Sequence, residues 1–157
     1  MSRQNTAKMF EKLNLPPFDI RLSRLDDGSV AVYDPLRHKE VVLTPEEWVR
    51  QHFVNYLTAH RGYPAAFMAN EVGLKLNGTQ RRCDTVVYHR DLSVACIVEY
   101  KRPTVEITAK VFNQIARYNS VLGAPYLIVS NGLRHFCVRY ENEAYTWLQQ
   151  IPAWEEM

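Results

Sequence analysis

The pattern of apolar and polar positions predicts its clearest helix between Thr44 and His60. Thr44 is a favoured N-cap residue, Pro45 suits the first helical position, and Glu47 stands where a capping box requires it. Apolar side chains then recur at helical spacing and form one stripe along the segment: Val49, Phe53, Tyr56, Leu57 and His60. Gly62 and Pro64 follow and are expected to end the helix.

Strand-like runs surround a second helical pattern. Three of them come in succession, at residues 67–76, 82–88 and 94–101, and the Asn77-Gly78 dipeptide between the first two indicates a tight hairpin. A helix is then predicted from Thr104, as its cap, to Leu122, with Gly123 ending it. Its apolar stripe consists of Ile107, Val111, Ile115, Tyr118 and Leu122. Two more strands are expected at residues 126–130 and 133–140, around an Asn131-Gly132 turn.

The two ends of the chain give weaker patterns. Residues 6–14 predict a short helix before the prolines at 16 and 17, and residues 31–43 predict a hairpin or a pair of edge strands. The tail, residues 142–157, is expected to form a last short helix or an irregular packing segment. We therefore expect one domain over residues 1–157, with its core at about 45–140 and residues 1–44 as an extension.

The order of helix, three strands, helix and two strands indicates an α/β fold. The strands on either side of the second helix are strongly apolar, as expected when both faces of a sheet are covered. We therefore predict a mixed sheet with helices on both faces and a right-handed crossover through the second helix.

Composition excludes several classes of protein. A formal charge of +2 over 157 residues is too small to indicate nucleic-acid or membrane binding by itself. Cys83, Cys96 and Cys137 are an odd number with no Cys-x-x-Cys pair, which argues against a disulfide framework and against a zinc knuckle. The N-terminal stretch has no apolar signal-peptide region, and no apolar run is long enough to span a bilayer. We expect a cytoplasmic protein without membrane contact.

Candidate chemistry appears where the third strand ends, in the sequence SVACIVEYKRP. Because strand side chains alternate between faces, Glu99 and Lys101 share one face at the edge of the core. An antiparallel meander over residues 83–101 would also bring Asp84 beside Glu99. Two carboxylates at one sheet edge repel each other, and Mg²⁺ would resolve the repulsion. A lysine there can orient water and stabilise charge developing on a phosphate, which makes phosphodiester hydrolysis plausible chemistry.

The second helix offers an independent indication. Gln114 falls within its apolar stripe, so we expect this side chain to face the sheet and to need hydrogen-bond partners there. The simpler alternatives remain open at this point: Glu99 and Lys101 can form an ordinary exposed ion pair, Gln114 can cap a strand, Tyr118 can be plain core, and Glu71 can be an exposed strand residue.

With these residues in view, the sequence resembles the PD-(D/E)xK nuclease superfamily. CDTVVYHRDLSVACIVEYK matches its D-x(n)-ExK core, with Cys83 where proline often stands, and Gln114 and Tyr118 match the Q-x-x-x-Y motif of the RecB-like branch. Over about residues 45–140 the chain looks like the N-terminal nuclease domain of type I restriction-enzyme R (motor) subunits and their stand-alone relatives. The resemblance implies a restriction-endonuclease-like fold and metal-dependent cleavage of DNA.

Carried onto this chain, the resemblance implies Asp84 and Glu99 as ligands of Mg²⁺ or Mn²⁺, Lys101 as the catalytic lysine, and Gln114 with Tyr118 as support for the site or the DNA. Glu71 is an additional candidate metal ligand. The candidate phosphate contacts are Arg81, Arg82, Arg102, Lys110 and Arg117. No GxxxxGK[ST] loop is present, so we expect a homodimer or a separate motor or recognition protein as partner. The alternative is a catalytically inactive nucleic-acid-binding or accessory module of the same fold.

Overall fold

The structure of the protein is a computed structural model that describes residues 10–157, except for the side chain of Leu76. An N-terminal antiparallel sheet comes first, with β1 (Leu22–Arg24), β2 (Val30–Asp34) and β3 (Lys39–Val42) in that order. The predicted hairpin is β2 and β3, and β1 adds a third strand. Residues 6–9 of the helix predicted over residues 6–14 lie outside the described residues, and its described part, residues 10–14, is not helical.

Helix α1 (Pro45–His60) begins where its sequence predicts. The Thr44 hydroxyl accepts a hydrogen bond from the Glu47 amide at 3.1 Å, as an N-cap does. The second half of the predicted capping box does not form, because the Glu47 carboxylate pairs with Arg37 and Arg50 instead of the Thr44 amide.

A six-stranded mixed sheet forms the centre of the molecule, in the order β4-β5-β6-β7-β8-β9. The strands are β4 (Met68–Leu76), β5 (Thr79–Tyr88), β6 (Val94–Tyr100), β7 (Tyr126–Ser130), β8 (His135–Glu141) and β9 (Ala144–Leu148). Asn77 and Gly78 both adopt positive φ, at 50° and 75°, as a two-residue hairpin turn requires. Only the β6–β7 pair is parallel, and helix α2 (Ala109–Ser120) connects its two strands.

The central sheet has one helix on each face. Residues of α1 such as Phe53 and Leu57 pack on Val98 and Ile128, together with the N-terminal sheet and the C-terminal Trp154. On the opposite face, Phe112 and Ala116 of α2 pack on Ile97 and other buried strand residues. The predicted α/β mixed sheet with helices on both faces is confirmed. Neither of these helices, the two in residues 10–157, has the length and apolar character needed to cross a lipid bilayer.

Two further element predictions are wrong. Helix α2 begins at Ala109, with Thr108 as its N-cap, and not at Thr104. The segment before it is held outside the helix because the Asn131 side-chain amide donates to the Val105 carbonyl at 2.8 Å. The tail forms β9 on the sheet edge and ends in a short 3₁₀ turn, Trp154–Glu156, where an irregular segment or a helix was expected.

Candidate active site

Asp84, Glu99 and Lys101 meet where the pairing between β5 and β6 ends. The antiparallel register pairs Thr85 with Val98, which puts the preceding Asp84 beside Glu99. The ladder stops there, and the Tyr100 amide donates to Oδ2 of Asp84 at 2.8 Å. The backbone of Lys101 continues onto β7 through a hydrogen bond from its amide to the Ser130 carbonyl. Asp84 and Glu99 therefore lie within strands, and Lys101 directly follows β6.

Electrostatics distinguish Glu99 from an ordinary surface acid. Burial is the main cause that raises the pKa of its carboxyl group far above the usual range, and the charge of Asp84 and a hydrogen bond with its carboxyl add to the effect. Lys101 and Arg50 act in the opposite direction and do not cancel it. The Oε1 atom of Glu99 is buried and has no hydrogen-bond partner in the described part of the chain.

This arrangement fits a hard divalent cation. Two carboxyl groups that share a buried position are unfavourable when both are ionised, and a cation would replace the proton that otherwise relieves them. Among residues 10–157, no group of three or more His, Cys, Asp or Glu side chains is placed to hold a metal. A Mg²⁺ ion needs fewer, because it usually keeps several waters and takes one or two carboxylates plus substrate phosphate.

Gln114 and Tyr118 do not face the sheet, which corrects the sequence prediction. Gln114 is exposed, and Tyr118 is 49% exposed. The buried side of α2 is formed by Phe112, Ala116 and Asn119, so the helix is rotated by roughly 90° from the predicted stripe. Phe112 explains the rotation, because it contributes the largest apolar side chain of the helix to the core.

Tyr118 instead contacts the hairpin that carries Asp84. The guanidinium of Arg81 lies over its ring, 4.7 Å from the centroid. Arg81 precedes Asp84 by three residues on β5, and Gln114 lies one helical turn from Tyr118. The Q-x-x-x-Y pair therefore lies on the outer flank of α2 that borders β5.

The outer surface of α2 is basic. Lys110, Asn113, Gln114 and Arg117 line one shallow hollow. The whole helix contains no acidic residue, and neither Lys110 nor Arg117 forms an ion pair with any other residue in 10–157. This surface, with Arg81 and Tyr118 beside it, we call the α2 face.

The remaining candidate residues are engaged elsewhere. Glu71 pairs with Arg50 and with Arg82, the latter at 3.0 Å, so both of its oxygens have guanidinium partners. Burial alone would raise the pKa of Glu71, but these two partners lower it below its usual value. Arg102 forms an exposed ion pair with Glu46 at 3.3 Å. A metal-ligand role for Glu71 stays a prediction, and in this arrangement it would require the acid to leave its two partners.

Arg50 also belongs to the surroundings of the site and was not among the predicted site residues. Its side chain is 7% exposed, and Nη1 donates to the Asp84 carbonyl oxygen at 2.7 Å. A signal was present in the sequence, because Arg50 occupies the same helical face as the buried Phe53, Val54 and Leu57. A charged residue at such a position requires acceptors within the fold.

The chain matches a known protein family. The family described as "Type I restriction enzyme R protein N terminus (HSDR_N)" matches residues 45–152, more than half of the chain. The chain belongs to this family. The match covers α1, all six strands of the central sheet and α2, and thus the whole setting of Asp84, Glu99 and Lys101.

A solved structure supports the same fold. A fragment assigned as an HsdR subunit of a type I restriction enzyme from Vibrio vulnificus YJ016 superimposes with a TM-score of 0.53 at 18% identity. The match covers 71% of this chain but 24% of the other, so the matched part spans about a quarter of the length of that solved chain. A search of curated proteins gives no match. The fold is restriction-endonuclease-like α/β.

Proposed function

We propose that the chain is a nuclease domain that hydrolyses DNA phosphodiester bonds with Mg²⁺ or Mn²⁺. The observation that carries the proposal is the meeting of Asp84 and Glu99, with a buried and unpartnered carboxylate oxygen, beside Lys101. Membership of the R-subunit N-terminal family supports the choice of DNA as the substrate.

The chemistry divides among three side chains. Asp84 and Glu99 would hold the metal, which when bound supplies charge stabilisation at the phosphate and lowers the pKa of water. Asp84 is held by its hydrogen bond from the Tyr100 amide, so one of its oxygens has a fixed direction before any ligand arrives. Lys101 would position the attacking water and donate hydrogen bonds to the phosphate oxygens as negative charge develops.

The α2 face would bind the phosphate backbone. Phosphate contacts position a nuclease on DNA without reading its sequence, and unpaired cations contribute most because no neighbouring carboxylate competes for them. Lys110, Arg117 and Arg81 meet this condition better than Arg82 and Arg102, which have acidic partners. Gln114 and Tyr118 lie among these cations and are proposed as DNA contacts at the edge of the site.

Assembly also belongs to the proposal. The solved HsdR fragment is longer than this chain, and we propose that the nuclease domain works next to a motor or recognition protein or as a homodimer. Either arrangement would supply the sequence selection that a small α/β core does not provide by itself.

Plasmid cleavage tests the proposal. The purified chain should nick or linearise supercoiled plasmid with Mg²⁺ or Mn²⁺, and Asp84→Ala and Lys101→Ala should each lower the rate by at least about 100-fold. Lys39→Ala, which removes an exposed lysine from β3, is the matched control and should leave the rate unchanged.

DNA binding in Ca²⁺, measured by fluorescence anisotropy, separates cutting from binding. Variants that bind DNA as wild type does but no longer cut it support catalysis by these residues. A wild-type chain that binds DNA and cuts with neither metal would instead establish the inactive accessory module. Cleavage that persists in both alanine variants would exclude this site as the catalytic centre.

A further inference from the structure

Arg50 connects three elements around the candidate active site. Besides its hydrogen bond to the Asp84 carbonyl, Nη2 pairs with the carboxylate of Glu71 on β4. Its Nε lies 3.1 Å from Oε2 of Glu47 on the same helix, an ion-pair contact without hydrogen-bond geometry. One buried guanidinium thus joins α1 to β4 and β5.

The β4–β5 hairpin changes faces at the two residues that Arg50 contacts. On β4, Met68 packs on the α1 side of the sheet, whereas Leu74, of the same parity, packs on the α2 side. On β5, Val87 packs on the α1 side and Cys83 on the α2 side. In a regular strand every second side chain points to the same face of the sheet. Both strands therefore reverse the faces of their side chains between these positions.

Glu71 marks the turnover. It is a non-glycine residue with φ of 55°, a conformation that persists only when its surroundings hold it. The regular register continues on both sides, with Asn70 opposite Thr85 and Val72 opposite Cys83, but the pair between them, Glu71 and Asp84, is missing from the ladder. The β4–β5 pairing is therefore interrupted at Asp84, which is a candidate metal ligand, and at Glu71 on the other strand.

Arg50 bridges this interruption. It holds the side chain of Glu71 on one strand and the backbone carbonyl of Asp84 on the other. The planar guanidinium suits this task, because its donors diverge at fixed angles and can contact two strands at once. A lysine at position 50 would keep the positive charge but would lose the diverging donors that contact both strands.

We propose that Arg50 is a positioning residue that clamps β4 to β5 at Glu71 and thereby fixes the direction of the Asp84 carboxylate, which with Glu99 would hold the metal. The inference rests on the proposed function for its metal-binding consequence. The Arg50 side chain is 7% exposed, and the role proposed for it is exerted through Asp84, whose carbonyl it contacts.

The test compares Arg50→Gln and Arg50→Lys with Arg37→Gln in the full chain. Arg37 is the matched control, because its guanidinium also pairs with Glu47 but has no contact with Asp84. The first measurement is Mn²⁺ affinity by isothermal titration calorimetry without DNA. Both Arg50 variants should bind Mn²⁺ about 10-fold to 100-fold more weakly, as expected when an outer-shell partner of a ligand is lost, and Arg37→Gln should stay within about 2-fold of wild type.

The second measurement needs no metal. The Tyr100 amide donates to Oδ2 of Asp84, so its proton chemical shift and exchange rate in metal-free protein report where that carboxylate lies. Both Arg50 variants should shift this resonance and accelerate its exchange, and Arg37→Gln should not. Should Arg50→Gln fail to fold, Arg50→Lys supplies both measurements.

The outcomes separate the inference from the proposed function. Weaker Mn²⁺ binding and a shifted Tyr100 amide in the Arg50 variants support the clamp, even if the wild-type chain does not cut DNA. Wild-type Mn²⁺ affinity and an unchanged amide in a folded Arg50→Lys would overturn it, as would equal changes in Arg37→Gln. If wild type binds no metal, the proposed function fails and the Tyr100 amide alone decides the inference.

Discussion

The two faces of the central sheet differ in whether their buried acids have neutralising partners. On the α1 side, Asp34 accepts hydrogen bonds from Arg37 and Asn70, and Glu47 pairs with Arg37 and Arg50. At the α2 side, Glu99 has a second acid, Asp84, as its neighbour and one buried oxygen without any partner among the described residues. Both regions are charged, but only one is internally neutralised.

The difference in pKa direction expresses the same contrast. Burial alone would raise the pKa of Asp34, yet hydrogen bonds from Asn70 and Arg37 hold it below the usual value. The pKa of Glu99 is instead raised, first by burial and then by Asp84. Acids with charged partners inside the fold stabilise it, whereas strongly raised pKa values of neighbouring acids are typical of functional sites. The contrast supports the proposal that Asp84 and Glu99 are the acids available for chemistry, while Asp34 and Glu47 are structural.

The largest effect on stability is expected on the neutralised side. Asp34→Ala leaves the guanidinium of Arg37 and the amide of Asn70 with unsatisfied donors, so the free energy of unfolding should fall by about 3–5 kcal/mol. Urea denaturation at pH 7 measures it. A loss below about 1 kcal/mol would show that the α1-side network is not structural, and the contrast between the faces would then disappear.

The opposite sign is expected for Glu99→Gln. Because the pKa of Glu99 is raised in the folded state, wild-type stability is fully present below the unfolded pKa and declines as pH rises through the folded pKa. The variant should therefore match wild type near pH 5 and exceed it by about 1–3 kcal/mol at pH 8 in EDTA. Urea denaturation at the two pH values checks this result.

Glu71→Gln is the matched control for that experiment. The pKa of Glu71 is lowered by its arginine partners, so its contribution is present above the unfolded pKa and is lost as pH falls through the folded pKa. The variant should be less stable than wild type at pH 8 by about 1 kcal/mol, because solvent screens its partly exposed pairs. Stabilisation by both Gln variants would contradict the distinction between paired and unpaired acids.

The smallest effect is expected on the α2 face. Lys110→Gln and Arg117→Gln should each weaken DNA binding a few-fold, and should lower the slope of log affinity against log salt by about 1. Fluorescence anisotropy over a salt series in Ca²⁺ measures both, with Lys39→Gln as control. Unchanged slopes would mean that DNA approaches from another side of the site.

Local signals predicted much of the fold. The Thr44 cap and Pro45 determine where α1 begins, and the Asn77-Gly78 turn sets the hairpin register, because capping and positive φ are chosen by neighbouring residues. The candidate site also follows from local order, since one antiparallel meander is enough to bring Asp84 to Glu99. The family match then agrees with the resemblance found in the same motifs.

Other features depended on contacts between distant segments. The rotation of α2 was missed because its two possible apolar stripes differ little, and the packing of Phe112 against the sheet selects one of them. β9 was missed because an edge strand with exposed residues, among them Trp147, has no alternating pattern. Glu71 was expected to be a regular strand residue, because glutamate is not a residue type that signals a left-handed backbone conformation.

The sequence by itself determined most of the elements, the meander and the convergence of one acid pair with a lysine, because each depends on neighbours within about twenty residues. Only the tertiary structure decided which acids are neutralised. Arg50 of α1 reaches Glu71 on β4, and Asn70 of β4 reaches Asp34 on β2, from segments distant in the chain. No arginine within residues 10–157 pairs with Glu99. Recognising the candidate site thus required both the sequence and the structure, because a carboxylate is available to a metal only when the rest of the fold leaves it without a partner.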